Sequence, residues 1–108
     1  MKFSDYQIQS ARTMPKNLDR KDTLTNMSMG LAGESGELID HLKKACFHGH
    51  EINHNYVSKE LGDILWYIAG LATALDIDLD ESAQENIDKL KARYPEGFSE
   101  AASQNRTV

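Results

Sequence analysis

Residues 30–40, GLAGESGELID, combine two features that rarely share one helix. Leu31 and Leu38 have the spacing of a buried apolar face, but glycines and glutamates interrupt that face at intervals of three residues. Glu34 and Glu37 lie one turn apart, where like charges cost about 0.2–0.5 kcal/mol in an isolated helix. A helix that keeps poor helix formers beside paired acids indicates a binding site.

The rest of the chain also shows helical spacing, and no segment alternates as a strand does. Four predicted helices have approximate limits of 4–13, 22–46, 55–75 and 79–94. A loop of about nine residues, 47–55, joins the two long ones, so we expect these to form an antiparallel hairpin. The prediction is an all-α, four-helix bundle-like domain over residues 1–99, followed by a polar C-terminal tail over 100–108.

Composition excludes several classes of protein. The 108 residues are 40% hydrophobic and 27% charged, which is ordinary for one folded domain. A net charge of -5 disfavours stable binding to nucleic acid or to an anionic membrane. The single Cys46, a polar N-terminus, and an apolar run shorter than the ~20 residues of a membrane span predict a cytoplasmic protein.

Four carboxylates are the candidate metal ligands. At 100° per residue, Glu34 and Glu37 lie on one flank of the second helix, and Glu60 and Asp63 lie on the same flank of the third. Antiparallel packing brings these flanks to one edge of the hairpin, where oxygen ligands favour Mg²⁺ or Mn²⁺. Gly30 is expected to leave room there for a ligand or a neighbouring backbone. The alternative is a solvated, purely structural acidic flank.

Other polar residues are candidate substrate contacts. Two bases and an amide share one flank of the fourth helix and suit phosphate oxygens, although bases are also common at helix C-termini: Asn86, Lys89 and Arg93. Tyr67 follows Asp63 by one turn and could hydrogen-bond a ligand, and Lys44 could be a counter-charge.

Two further features are read as structural. Three histidines, His48, His50 and His54, crowd the connection between the long helices, where the spacing favours a loop over a transition-metal site. Trp66 points away from the apolar stripe of the third helix, so we expect an oligomer contact.

With these residues in place, the sequence resembles the MazG-like family of all-α nucleoside triphosphate pyrophosphohydrolases. The resemblance rests on GLAGESGELID, KELGDILWYIAGLA and NIDKLKARYPEGFS, which occur in that order, and it covers residues 3–99. It implies an oligomeric MazG-type helical bundle, a dimer or tetramer, that uses Mg²⁺ to hydrolyse NTPs or dNTPs to the monophosphate and diphosphate. Such proteins cleanse or limit nucleotide pools.

The resemblance also assigns roles. It implies that Glu34, Glu37, Glu60 and Asp63 are metal-binding and catalytic, that Lys89 and Arg93 bind phosphate, and that Asn86 and Tyr67 contact the substrate. The water could be activated by a second metal ion or by Glu37. Two alternatives are a non-catalytic helical interaction module and a di-iron carboxylate protein, but the single Glu-x-x-His match, Glu51 to His54, falls in the predicted loop.

Overall fold

The chain is all-α in the computed structural model, which describes residues 1–106. Within that range there are five α-helices, a 3₁₀ turn at Ala11–Thr13 and no β-strand. The helices are α1 Phe3–Ser10, α2 Arg20–Phe47, α3 His54–Ala74, α4 Leu79–Arg93 and α5 Glu100–Gln104. The predicted all-α class is confirmed, and the predicted tail contains the short helix α5.

Side-chain caps explain where the three longest helices begin. Asp19 accepts the backbone N–H of Asp22 at 2.8 Å at the start of α2, and Asn53 accepts the N–H of Tyr56 at 3.1 Å at the start of α3. At the start of α4, Asp78 accepts a backbone N–H at 2.9 Å. Each carboxylate or amide oxygen satisfies a donor that has no partner within its helix.

The start of α1 depends on a residue far along the chain. Asp80, in the first turn of α4, accepts the backbone N–H groups of Phe3 and Ser4 at 3.0 and 3.2 Å. Hydrogen bonds from Ser4 hold the pKa of the Asp80 carboxyl below its usual value. The carboxylate of Asp80 is therefore a tertiary cap that joins α1 to α4.

The antiparallel hairpin of α2 and α3 has a regular register. Three side-chain layers cross it, and the two residue numbers of each layer sum to 97: Met27 with Gly70, Gly30 with Tyr67, and His41 with Tyr56. Along α2 the seam follows the alternating three- and four-residue steps of coiled-coil packing. Two further layers fall between Tyr67 and Tyr56.

Gly30 makes room for an aromatic ring. A Cβ atom built on Gly30 would overlap the ring of Tyr67 and would lie 2.6 Å from its Cδ1 atom. The expectation of space for a ligand or a backbone is wrong, because the Tyr67 side chain occupies that space. Gly33 differs, since a Cβ there would meet nothing within 4 Å.

The first helix and the 3₁₀ turn pack on the outer side of α3. The indole N–H of Trp66 donates to Thr13 Oγ1 at 2.9 Å and to the carbonyl of Ser10 at 3.3 Å. Gln7 is buried; its amide donates to the carbonyl of Ile77 and accepts the N–H of Leu79, both at 2.8 Å. The polar atom of Trp66 thus holds the chain's own N-terminal segment, and the predicted oligomer contact of this half-buried side chain stays a prediction.

The single chain leaves much apolar surface uncovered. Its radius of gyration is 17.2 Å, against ~13 Å for a compact domain of about 100 residues. The helix α4 packs mainly on α1 and does not lie along the hairpin. In the described residues the fully buried hydrophobic side chains are those of Met27, Ala69 and Ala72.

None of the helices in residues 1–106 combines the length and the apolar character that crossing a bilayer requires.

Substituting Gly30 tests the Tyr67 layer. Helix propensity alone would favour Gly30→Ala by ~1 kcal/mol, but overlap with the ring should reverse the sign and destabilise the fold by ~1–3 kcal/mol. Gly33→Ala is the matched control, because it adds the same methyl group to the same helix in open space and should stabilise by ~0.5–1 kcal/mol. Urea unfolding of both variants measures the difference; equal stabilisation by both would contradict the packing of Tyr67 over Gly30.

Candidate metal centre

The acidic residues lie inside the hairpin seam. If the residue sum of 97 is extended between Tyr67 and Tyr56, Glu34 is paired with Asp63 in one layer and Glu37 with Glu60 in the other. The sequence predicts these residues on the flank of the apolar stripe; Glu37 and Asp63 are exposed, as residues on a flank would be, whereas Glu60 is buried. The packing face of α2 is the seam itself, and Leu31 and Leu38 lie beside it, half-buried.

Three of the four acids meet at one point. Glu34, Glu37 and Glu60 each offer a carboxylate oxygen, and these oxygens all lie within 4.8 Å of one another. Glu60 is buried with 7% of its surface exposed, Glu34 is half-buried and Glu37 is exposed. Asp63 is exposed and lies outside this group, although its charge still acts on Glu34.

The cluster is electrostatically unfavourable without a partner. The Glu60 carboxyl, with which Glu34 can share a proton, raises the pKa of Glu34, and burial and the charges of Glu60 and Asp63 act in the same direction. The Oε2 atoms of Glu34 and Glu60 are buried and have no hydrogen-bond partner. Buried ionised oxygens need a proton, a donor or a cation, so the site lacks positive charge.

A hard divalent cation fits these donors. The group is the single cluster of three or more metal-capable side chains found in residues 1–106, and it consists of carboxylates alone. Mg²⁺ and Mn²⁺ prefer such oxygens, whereas zinc and iron sites usually add histidine or cysteine. The histidine-rich connection does not join the cluster.

Aromatic layers close both ends of the acidic site. The Tyr67 ring lies over Gly30 at one end, and the His41 and Tyr56 rings make contact at the other, with their centroids 4.7 Å apart. Burial and then the charges of four acids, Glu60 foremost, raise the pKa of Tyr56. The sequence reasoning missed His41 and Tyr56. The three- and four-residue spacing of the seam could have identified them, because it places His41 one turn from Glu37 and Tyr56 one turn from Glu60.

A further tyrosine borders the site from α1. Burial, followed by the negative charge of Asp63, raises the pKa of Tyr6. Tyr6 was also missed, and the sequence contains no spacing argument for it because α1 is joined to α3 only by tertiary packing.

The candidate substrate contacts of α4 are not part of the acidic cluster. Asn86 lines a groove of about 590 Å³ together with Leu65 and Ile68 of α3. Lys89 is exposed, and the guanidinium of Arg93 lies 5.9 Å from the ring centroid of Tyr94. None of the charges that shift the pKa of Glu34 comes from α4. Asn86, Lys89 and Arg93 thus lie outside the three-carboxylate group, and their predicted roles as substrate contacts stay predictions.

Lys44 has a local partner. Its ammonium group lies 2.9 Å from Asp40, one turn earlier on α2, and both side chains are about half exposed. Lys43 lies 3.4 Å from the same carboxylate. Lys44 was predicted to supply a counter-charge, and in this structure the acid that it pairs with is Asp40.

The fold and the site together define an all-α protein with a cluster of three carboxylates, a candidate metal site, in a helical hairpin. Comparison with known proteins gives the family: the model of the MazG nucleotide pyrophosphohydrolase domain matches residues 22–98, and the chain belongs to that family. It is also 35% identical over 92 residues to the Gene 37 protein of Mycobacterium phage L5, an alignment that covers 82% of this chain and 81% of that protein. No solved structure matches the chain.

Neutralising one buried acid tests the cluster without any substrate. In the absence of divalent metal, Glu60→Gln should raise the melting temperature by several degrees, because it removes a buried charge and ~1 kcal/mol corresponds to about 4–8 °C in a small domain. The wild type should gain stability on addition of Mg²⁺, whereas the variant should gain little. Differential scanning calorimetry measures both.

The control is Glu96→Gln, an equal change of charge at an exposed position after α4. It should leave the melting temperature and the response to Mg²⁺ unchanged. A lower melting temperature for metal-free Glu60→Gln would contradict the view that the cluster is strained.

Proposed function

We propose that this protein is a Mg²⁺-dependent nucleoside triphosphate pyrophosphohydrolase that converts an NTP or dNTP and water to the monophosphate and diphosphate. The observation that carries the proposal is the pair of buried, unpartnered carboxylate oxygens of Glu34 and Glu60 in a three-carboxylate group. Membership of the MazG nucleotide pyrophosphohydrolase domain family supplies the reaction class. A role in nucleotide-pool house-cleaning in the cytoplasm follows as part of this proposal.

The proposed metal ligands are Glu34, Glu37 and Glu60, with Asp63 completing the set from the adjacent layer. Bound there, Mg²⁺ would supply positive charge to the triphosphate and Lewis-acid polarisation at the attacked phosphorus. It would also reconcile a chain of net charge -5 with an anionic substrate, since bound cations reverse the local field.

In the proposed reaction, water attacks the α-phosphorus and the bond to the bridging oxygen breaks, so that diphosphate leaves. Glu37 is the most exposed carboxylate of the three-carboxylate group, and it is proposed to accept the proton of the attacking water. Lys89 and Arg93 are proposed to neutralise the departing diphosphate, with Asn86 and Tyr67 as further substrate contacts.

We also propose that the protein works as a homo-oligomer, a dimer or tetramer. Large apolar side chains are exposed along three helices of the single chain, including Ile39 and Phe47 of α2, Leu61, Ile68 and Leu75 of α3, and Ile87 and Leu90 of α4. Exposed apolar surface on this scale is typical of a surface covered by a partner. Stable nucleic acid and membrane binding are not part of the proposal.

The direct test is diphosphate release from a panel of NTPs and dNTPs with and without Mg²⁺. Glu37→Gln and Asp63→Asn should each lower kcat/KM by ~100-fold or more while the helical circular dichroism is retained. Lys89→Ala should lower it by about 10-fold through the loss of a charge-assisted contact.

Glu96→Gln again serves as the charge-matched control and should retain full turnover. Near-normal turnover of either acid variant would remove that residue from the site. If the wild type neither binds Mg²⁺ nor turns over any nucleotide, the interaction-module alternative is favoured; bound iron with oxidase activity would favour the di-iron alternative.

Oligomer formation has its own test. Leu61 is 54% exposed on α3, so Leu61→Asp should place a charge in a buried interface and reduce the mass seen in light scattering to that of the 12.1 kDa chain. Met29→Asp is the control, because Met29 is 70% exposed but points about 160° away from Leu31 around α2. A wild-type mass of 12.1 kDa would contradict the proposal.

A further inference from the structure

The acidic layers tend to push the two long helices apart. Glu37 and Glu60 face each other across the seam, and Glu34 is close to both. On the side away from the loop, the helices are held by the Met27 layer and by the Tyr67 layer. On the loop side, the two helices soon end at the connection of residues 48–53. A separate contact between the helices is therefore needed to hold them together there.

His41, Asn53 and Tyr56 provide that attachment. The rings of His41 and Tyr56 lie 4.7 Å apart at an interplanar angle of 42°. The backbone N–H of Asn53 donates to Nε2 of His41 at 3.1 Å, and the side-chain oxygen of Asn53 accepts the N–H of Tyr56 at 3.1 Å. One residue thus joins a side chain of α2 to the first turn of α3.

This attachment lies directly beside the acids. His41 follows Glu37 by four residues on α2, and Tyr56 precedes Glu60 by four residues on α3, so each pair lies on one face one turn apart. Loss of the ring contact would first release the layer that contains Glu37 and Glu60. The distance between those two carboxylates decides whether one cation can bind both.

We propose that His41, Asn53 and Tyr56 form a clamp that holds Glu37 and Glu60 close enough to share one divalent cation. These are positioning residues, which set the affinity for Mg²⁺ by fixing the ligands from outside, as residues behind metal ligands commonly do. The inference rests on the proposed function, since it takes the acidic cluster as the Mg²⁺ site.

The test compares two substitutions of Tyr56 by isothermal titration with Mg²⁺ alone, well below the melting temperature of each variant. Tyr56→Ala removes the ring and should weaken Mg²⁺ binding by ~10-fold or more. Tyr56→Phe keeps the ring contact and should bind Mg²⁺ within about twofold of the wild type, by the same reasoning from packing. Circular dichroism confirms that both variants are helical.

Met27→Val is the matched control for general destabilisation. Met27 is 1% exposed in the same seam, on the far side of the acids, so its truncation should lower stability but leave the Kd for Mg²⁺ within about twofold. His41→Phe keeps an aromatic ring but removes the acceptor for Asn53. His41→Phe should weaken Mg²⁺ binding by several-fold. It replaces Tyr56→Ala in the test if Tyr56→Ala folds too poorly to titrate.

Three results would overturn the clamp. These are unchanged Mg²⁺ affinity in Tyr56→Ala and His41→Phe, equal weakening by Tyr56→Phe and Tyr56→Ala, or equal weakening by Met27→Val and Tyr56→Ala. The second would assign the effect to the hydroxyl group, and the third to stability alone. A wild type that fails to bind Mg²⁺ is a different outcome, because it removes the proposed function itself.

Discussion

The structure depends on repulsion between carboxylates placed where a helical hairpin normally packs apolar side chains. Three carboxylate oxygens lie within 4.8 Å of one another, and two buried oxygens lack any partner. Burial of unpaired charge is costly, so these residues work against the hairpin that carries them. A cation bound between these carboxylates would replace their repulsion by attraction and so stabilise the hairpin. Metal binding would then be coupled to the stability of the fold.

The layers on either side of the acids can be understood as the response to that repulsion. Gly30 has no side chain because the Tyr67 ring lies against its backbone, and Gly70 likewise gives space to the Met27 sulfur, 2.6 Å from a Cβ built there. On the loop side, two aromatic rings meet instead. Packing across the seam therefore explains Gly30 of α2, at a cost of ~1 kcal/mol in helix propensity, whereas a Cβ atom at Gly33 or Gly36 would meet nothing within 4 Å.

Much of this arrangement could be predicted from the sequence. Helical spacing predicts the all-α class and limits of the long helices close to those observed, and the paired acids on both arms indicate a common site. The packing face could not be predicted, because the leucines of α2 form the stronger apolar stripe and only the partner helix decides which face is used. The contacts of Asp80 with α1 and of Trp66 with the 3₁₀ turn join distant segments and have no local signature either. The positions of His41 and Tyr56, in contrast, could have been predicted. Pairing the two long helices so that facing residue numbers have a constant sum places both residues beside the acids.

The same seam explains why the single chain is open. Because polar and small residues fill the packing face of α2, its leucines remain half-buried at the side of the hairpin, and α4 packs on α1 without covering them. Apolar surface of this kind favours association. A chain that places acids and glycine on the packing face of α2 leaves its leucines at the side of the hairpin, so the position of the acidic cluster and the uncovered apolar surface follow from one choice of packing face.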